Sequence, residues 1–244
     1  MSSFLYISLV WLLAGFLNGV TSFGGNLFAV PLMMLVMDAK EAIIFSCIVG
    51  TGVTVMIAVL YHGKLPLLEF VLASVSSAVG IPIGMVILNI ASVKSILILS
   101  GVILLLFLIW QTLSARMHIV WRAPLWAILP AGLLAGILLS STAMGGPALA
   151  MYAVLRGWSK EETISVLNTM AAVAMTFIVM VQWFDGMYTP KMLYDALWAL
   201  PCAVIGVLLS IPVIGRINQR FFRVLLMSML AFSMIMLFVK GFSD

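Results

Sequence analysis

Two short segments of this chain carry polar side chains where a run of apolar ones would be expected. The first holds Asn18, Thr21, Ser22, Gly24, Gly25 and Asn26; the second holds Ser140, Ser141, Thr142, Gly145, Gly146 and Pro147. Each places hydroxyls and amides beside a Gly-Gly pair. Glycine lets a helix leave its regular geometry and lets a ligand approach the backbone closely. Asn26 suits a helix N-cap and Pro147 the first helical position. Each segment therefore predicts a helix that stops and a new half-helix that starts with free N–H groups. Such N-termini favour an anion. No Lys, Arg, Asp or Glu lies centrally in an apolar segment, so a charged ligand would rest on backbone N–H and on Ser, Thr and Asn side chains. Asn168 is a further polar candidate in the helix after the second break.

The two segments are copies. Leu12–Val30 and Leu133–Met151 align without a gap at an offset of 121 (133 − 12), with identities at Leu12, Leu13, Ala14, Gly15, Leu17, Thr21, Gly24, Gly25 and Ala29. Leu and Ala matches are common in apolar sequence, but a matched Thr and two matched Gly-Gly pairs are not. Glu41 and Ile43 meet Glu162 and Ile164 at the same offset. This predicts a duplication, with a first repeat at 1–114, a linker at 115–122 and a second repeat at 123–244. Broken apolar segments at matching places in two halves point to a substrate site between repeats.

The elements that must position these residues are membrane helices. The chain has 244 residues, 64% hydrophobic and 8% charged, with a mean hydropathy of +1.26. Soluble domains carry about 25% charged residues, so lipid is the solvent here. Long apolar runs favour helices over a barrel, whose strands would alternate. Helices are expected at Phe4–Ser22, Asn26–Met37, Glu41–Tyr61, Pro66–Ile90, Val93–Leu113, Ala123–Ala143, Pro147–Arg156, Glu161–Trp183, Lys191–Ile214 and Phe221–Lys240. The fold class is thus an all-α polytopic membrane protein of two tandem repeats, each a Gly-broken segment plus three transmembrane helices.

Charge distribution orients them. If every segment spans, Lys and Arg divide seven (Lys40, Lys94, Arg156, Lys160, Arg216, Arg220, Arg223) to five. If both broken segments are re-entrant hairpins, they divide eight (Lys64, Arg116, Arg122, Arg156, Lys160, Arg216, Arg220, Arg223) to four. The hairpin arrangement gives the stronger bias, places the linker in the cytoplasm and both termini outside, and inverts the second repeat relative to the first.

Other residues have plainer readings. Gly15-x-x-x-Gly19, Gly80-x-x-x-Gly84 and Gly132-x-x-x-Gly136 have the spacing of close helix contacts. Glu69 and Asp195 fall in the first turns of helices related by an offset of 126 (195 − 69), where a carboxylate complements the helix dipole. Proton coupling is the alternative role for the pair. Cys47 and Cys202 read as buried small residues, with no metal site expected. His62 and His118 sit at segment ends. The chain lacks an H-E-x-x-H helix, a G-x-S-x-G elbow and a Walker A loop, so an enzyme and a cofactor are not expected. The net charge of +4 comes from scattered helix-end residues facing lipid headgroups, which excludes a nucleic-acid partner.

The segments GVTSFGGNLFAVP and STAMGGPALAMY, the loop WSKEETISVLNTMAA and the two-half layout resemble the sulfite exporter TauE/SafE family of membrane permeases. The resemblance covers nearly the whole chain. Asn26 stands where a proline often follows the glycines in that family. The resemblance implies a bacterial-type inner or plasma membrane permease for a small sulfur-containing or organic anion, such as sulfite, a sulfonate or sulfoacetate. A passive anion channel and an intramembrane enzyme or assembly factor are the alternatives. The partners expected are the anion and membrane lipid; association into a homo-oligomer is left open.

Overall fold

A computed structural model describes residues 3–114, 122–212 and 219–243. The expected linker falls outside the described residues except for Arg122. Backbone polar groups in hydrocarbon must be satisfied within the segment, which selects helices, and the described residues form ten: α1 Ser3–Thr21, α2 Gly24–Met33, α3 Ala39–Leu60, α4 Leu67–Ile90, α5 Val93–Ser114, α6 Ile128–Thr142, α7 Gly146–Arg156, α8 Lys160–Phe184, α9 Pro190–Ser210 and α10 Gln219–Ser243. Among the described residues seven stretches are long and apolar enough to cross a membrane: Phe4–Thr21, Ala39–Leu60, Leu67–Ile90, Val93–Leu113, Leu125–Thr142, Lys160–Phe184 and Pro190–Ser210.

Local chemistry sets the ends. The Asp38 carboxylate accepts from the Lys40 N–H at the start of α3. Ser159 and Glu162 form a reciprocal capping box on α8. Thr189 caps α9, and Pro190 occupies its first turn. Beyond α8, the Tyr188 hydroxyl donates to buried Gln182 Oε1 at 2.6 Å. Burial, then the nearby Cys47, holds the Tyr188 pKa above its ordinary value, so the phenol remains a donor.

Both broken segments fold back on themselves. The Tyr6 hydroxyl near the start of α1 donates to the Leu32 carbonyl near the end of α2, at 3.0 Å. The Ala123 N–H before α6 donates to the Leu155 carbonyl near the end of α7, at 2.9 Å. So α2 and α7, ten and eleven residues long, return toward the side from which α1 and α6 set out.

The glycines let helices of the two halves touch. A Cβ on Gly15 would lie 2.0 Å from the Ala203 carbonyl oxygen, and one on Gly136 would lie 2.2 Å from that of Ser77. Gly206 meets Leu12 O and Phe16 N; Gly80 meets Leu133 O and Ile137 N. Gly19 meets the Ser210 hydroxyl, and Gly84 meets the Ser140 hydroxyl. Thus α1 packs on α9 as α6 packs on α4, and these three contacts of one pair recur in the other at offsets of 121 and 126. Packing, the simpler role for these glycines, is the one the structure gives them. Between the two pairs α3 packs on α8, while α5 packs on α10.

Candidate functional site

The breaks differ from the expected geometry. α2 begins at Gly24 with Phe23 as N-cap, and α7 begins at Gly146 with Gly145 as N-cap. Asn26 is therefore inside α2 rather than capping it, and Pro147 is the second residue of α7 rather than the first. The left-handed residues are Ser22 (φ 77°) and Ala143 (φ 58°), not the glycines. These two correspond at the 121 offset. The glycines instead let the arms of each hairpin close. A Cβ on Gly25 would lie 2.8 Å from Ala14 O, and one on Gly145 would lie 2.5 Å from Ala135 O. Gly146 lets the two tips meet, since its Cβ would fall 2.6 Å from the Phe23 Cβ.

Each left-handed turn leaves a carbonyl in need of a donor, and the other half of the chain supplies it. Asn168 Nδ2 donates to Ser22 O at 3.0 Å, and Asn26 Nδ2 donates to Ala143 O at 2.9 Å. Asn168 is 0% exposed. Its Oδ1 accepts from Asn18 Nδ2 at 3.2 Å, and its Nδ2 also donates to Ile164 O at 2.9 Å. Asn168 is therefore fully engaged within the protein.

The helix N-termini at the two breaks are not alike. At the first, the Gly24 N–H donates to Thr21 Oγ1 at 2.8 Å and the Gly25 N–H to Asn18 Oδ1 at 3.3 Å. Thr21 thus acts as a cap, and neither glycine N–H is free. At the second, no side chain caps α7. The hydroxyls of Ser141 and Thr142 donate to carbonyls one turn back, Ile137 O at 2.6 Å and Leu138 O at 2.8 Å. Both residues are almost fully buried.

Where the tips meet, a cavity of about 40 Å³ opens, room for about one water at its liquid volume. Of the residues expected at a site, Asn18, Ser22, Asn26, Gly145 and Gly146 line it. Thr21, Gly24, Gly25, Ser141, Thr142, Pro147 and Asn168 do not; Asn168, Thr21 and Gly25 support the lining through the bonds above. Reading the sequence missed Phe23, Thr54, Leu139, Ala143, Met144, Leu167, Ala171 and Met175, which complete the wall. Thr54, a hydroxyl on the apolar helix α3, was the one legible signal among them. Among the described residues no charged group lines the cavity.

Glu69 lies away from it. Its carboxylate accepts from Arg156 Nε at 2.8 Å and from Trp158 Nε1 at 2.6 Å. Asp195, its counterpart at the 126 offset, makes no hydrogen bond or ion pair among the described residues. Among these residues no three His, Cys, Asp or Glu side chains gather to hold a metal.

A family model described as sulfite exporter TauE/SafE matches residues 7–237. No curated protein and no solved structure matches the chain.

Proposed function

Because the chain belongs to the sulfite exporter TauE/SafE family, we propose that this integral membrane protein is a secondary transporter of a small sulfur-containing or organic anion, of the sulfite, sulfonate or sulfoacetate class. The observation that carries the proposal is the cavity between the two hairpin tips, walled by both breaks and by α3 and α8. The anion rests there against the start of α7, where Gly145 and Gly146 line the space and no side chain competes for the helix N-terminus. Asn18 and Asn26 place amide groups on the same wall.

The two halves act as inverted repeats, 1–114 and 123–244, each a re-entrant hairpin plus three spans. The matched glycine contacts of α1 with α9 and of α6 with α4 support this reading, as does the return of each hairpin to its starting side. Charge bias puts Lys64, Arg122, Arg156 and Lys160 in the cytoplasm. Alternating access then consists of one pair of helices rocking against the other around the tips.

Affinity follows from the donors. A buried helix N-terminus contributes up to ~2 kcal/mol, and each donor to a charged group about 1.5–3 kcal/mol. Less the ligand's desolvation, this fits micromolar to millimolar binding, since one micromolar requires about −8 kcal/mol. Counterflow of labelled sulfite in proteoliposomes, competed by sulfonates and carboxylates, tests the proposal. Counterflow requires a carrier; a channel would only dissipate the gradient.

A further inference from the structure

Glu69 is a carboxylate only 8% exposed, in the first turn of α4. Both of its oxygens are occupied, one by Arg156 Nε and the other by Trp158 Nε1. Arg156 Nη1 also donates to Ala123 O at 3.0 Å, and the Trp158 ring stands edge-on to Tyr152 at 5.3 Å. The contact thus ties α4 to the entry of α6, to the last residue of α7 and to the loop before α8. The Arg156 side chain is 32% exposed, so the ion pair is half-buried and solvent screening leaves it little stability to contribute. A switching role explains its presence better.

The other half of the molecule supplies the comparison. The counterparts of Glu69 and Arg156 are Asp195 (69 + 126) and Leu35 (156 − 121). Leu35 carries no charge and is 39% exposed, and Asp195 has no hydrogen-bonding or ionic partner among the described residues. The Glu69–Arg156 bond therefore has no counterpart at the other end, where the end of α2 is held instead by Tyr6 and Lys240 donating to the Leu32 and Met34 carbonyls. The Glu69–Arg156 end reaches the cavity through one rigid element. Arg156 ends α7, and Gly146, which lines the cavity, begins it.

We propose that the Glu69–Arg156–Trp158 contact is a latch that closes the cytoplasmic side of the central cavity and parts when the carrier turns to that side. This rests on the transporter reading above. Glu69, Arg156 and Trp158 are positioning residues: they hold α7 and touch no substrate.

The test reads accessibility, not transport. Ala171 lines the cavity. An Ala171→Cys variant is made with Cys47→Ala and Cys202→Ala, and labelled with a membrane-impermeant maleimide in inside-out and right-side-out vesicles. Arg156→Gln and Trp158→Phe are then added singly. The expected result is a rise of about tenfold in the labelling rate from the cytoplasmic face for Arg156→Gln, equivalent to about 1.4 kcal/mol. Trp158→Phe gives a smaller rise in the same direction. Labelling from the opposite face stays level or falls. Cytoplasmic labelling that stays at the parent rate in both variants overturns the latch. An equal rise from both faces overturns it too, since that is general loosening. If either variant fails to yield a monodisperse protein, the other carries the test. Failure of the parent protein to move any anion would defeat the transporter reading, while the labelling result would still report whether the contact closes one face.

Discussion

Asn168→Ala removes the amide that holds the first break in place. The substitution loses two bonds across segments, from Asn18 Nδ2 at 3.2 Å and to Ser22 O at 3.0 Å. The third bond, to Ile164 O, lies within α8. Asn18 and Ser22 are 5% and 6% exposed and line the central cavity, so only a cavity water could replace the lost partner. Buried orphaned groups cost about 1–3 kcal/mol each in soluble proteins, whereas hydrogen bonds between membrane helices average about 0.6 kcal/mol with a maximum near 1.7. The membrane scale applies here, and two such bonds give about 1–3 kcal/mol. Since the Ser22 carbonyl is in a left-handed turn that forms the cavity wall, the loss moves the wall. Transport should fall about tenfold or more, with a lower midpoint in thermal unfolding of the purified protein in detergent. A double-mutant cycle with Asn18→Ala isolates the 3.2 Å bond and should show coupling of about 0.6 kcal/mol or more. Asn168→Ala with unchanged midpoint and flux, or strictly additive effects in the cycle, would refute the claim that this amide pair joins the halves.

Further predictions follow from the same geometry. Gly146→Val should abolish transport while the protein still inserts, because even its Cβ would fall 2.6 Å from Phe23 Cβ and part the tips; normal flux would mean that the tips need not meet. Thr21→Ala should cost about 1 kcal/mol of stability by uncapping the Gly24 N–H, read as a lower unfolding midpoint, whereas Thr142→Ala should leave sulfite binding by calorimetry little changed because its hydroxyl serves its own helix. Ala143→Gly should raise the unfolding midpoint by relieving a left-handed alanine at φ 58°, worth about 1 kcal/mol; a lower midpoint would contradict this. For topology, a cysteine replacing Gly63 should react only from the cytoplasm and one replacing Asp185 only from outside, checked by impermeant labelling of intact cells.

The helices were legible because lipid leaves the backbone no alternative, and the breaks because Thr21, Gly24 and Gly25 recur as Thr142, Gly145 and Gly146. What each residue does at the breaks was not. Glycine is the usual choice for a left-handed turn, yet Ser22 and Ala143 take that conformation. A stronger demand overrides the preference: Ala14 O and Ala135 O press on Gly25 and Gly145 so closely that no Cβ fits there. Thr21 was read as a ligand donor, but its oxygen caps α2, a role that local spacing allows equally well. Glu69 was read as a dipole partner or a coupling group, and its bonds to Arg156 and Trp158 span 87 and 89 positions, beyond any local signal. Leu139, Leu167 and Met175 line the cavity as ordinary apolar residues, and their place depends on how α6 and α8 pack.

The most direct test of the central claim is counterflow in proteoliposomes. Vesicles loaded with unlabelled sulfite and diluted into a trace of labelled sulfite should accumulate label transiently above equilibrium. An excess of sulfonate outside should suppress the overshoot, and Gly146→Val should abolish it. Equilibration without overshoot would contradict a carrier, and accumulation of a cation or a neutral solute in preference to sulfite and sulfonates would contradict an anion held at the start of α7.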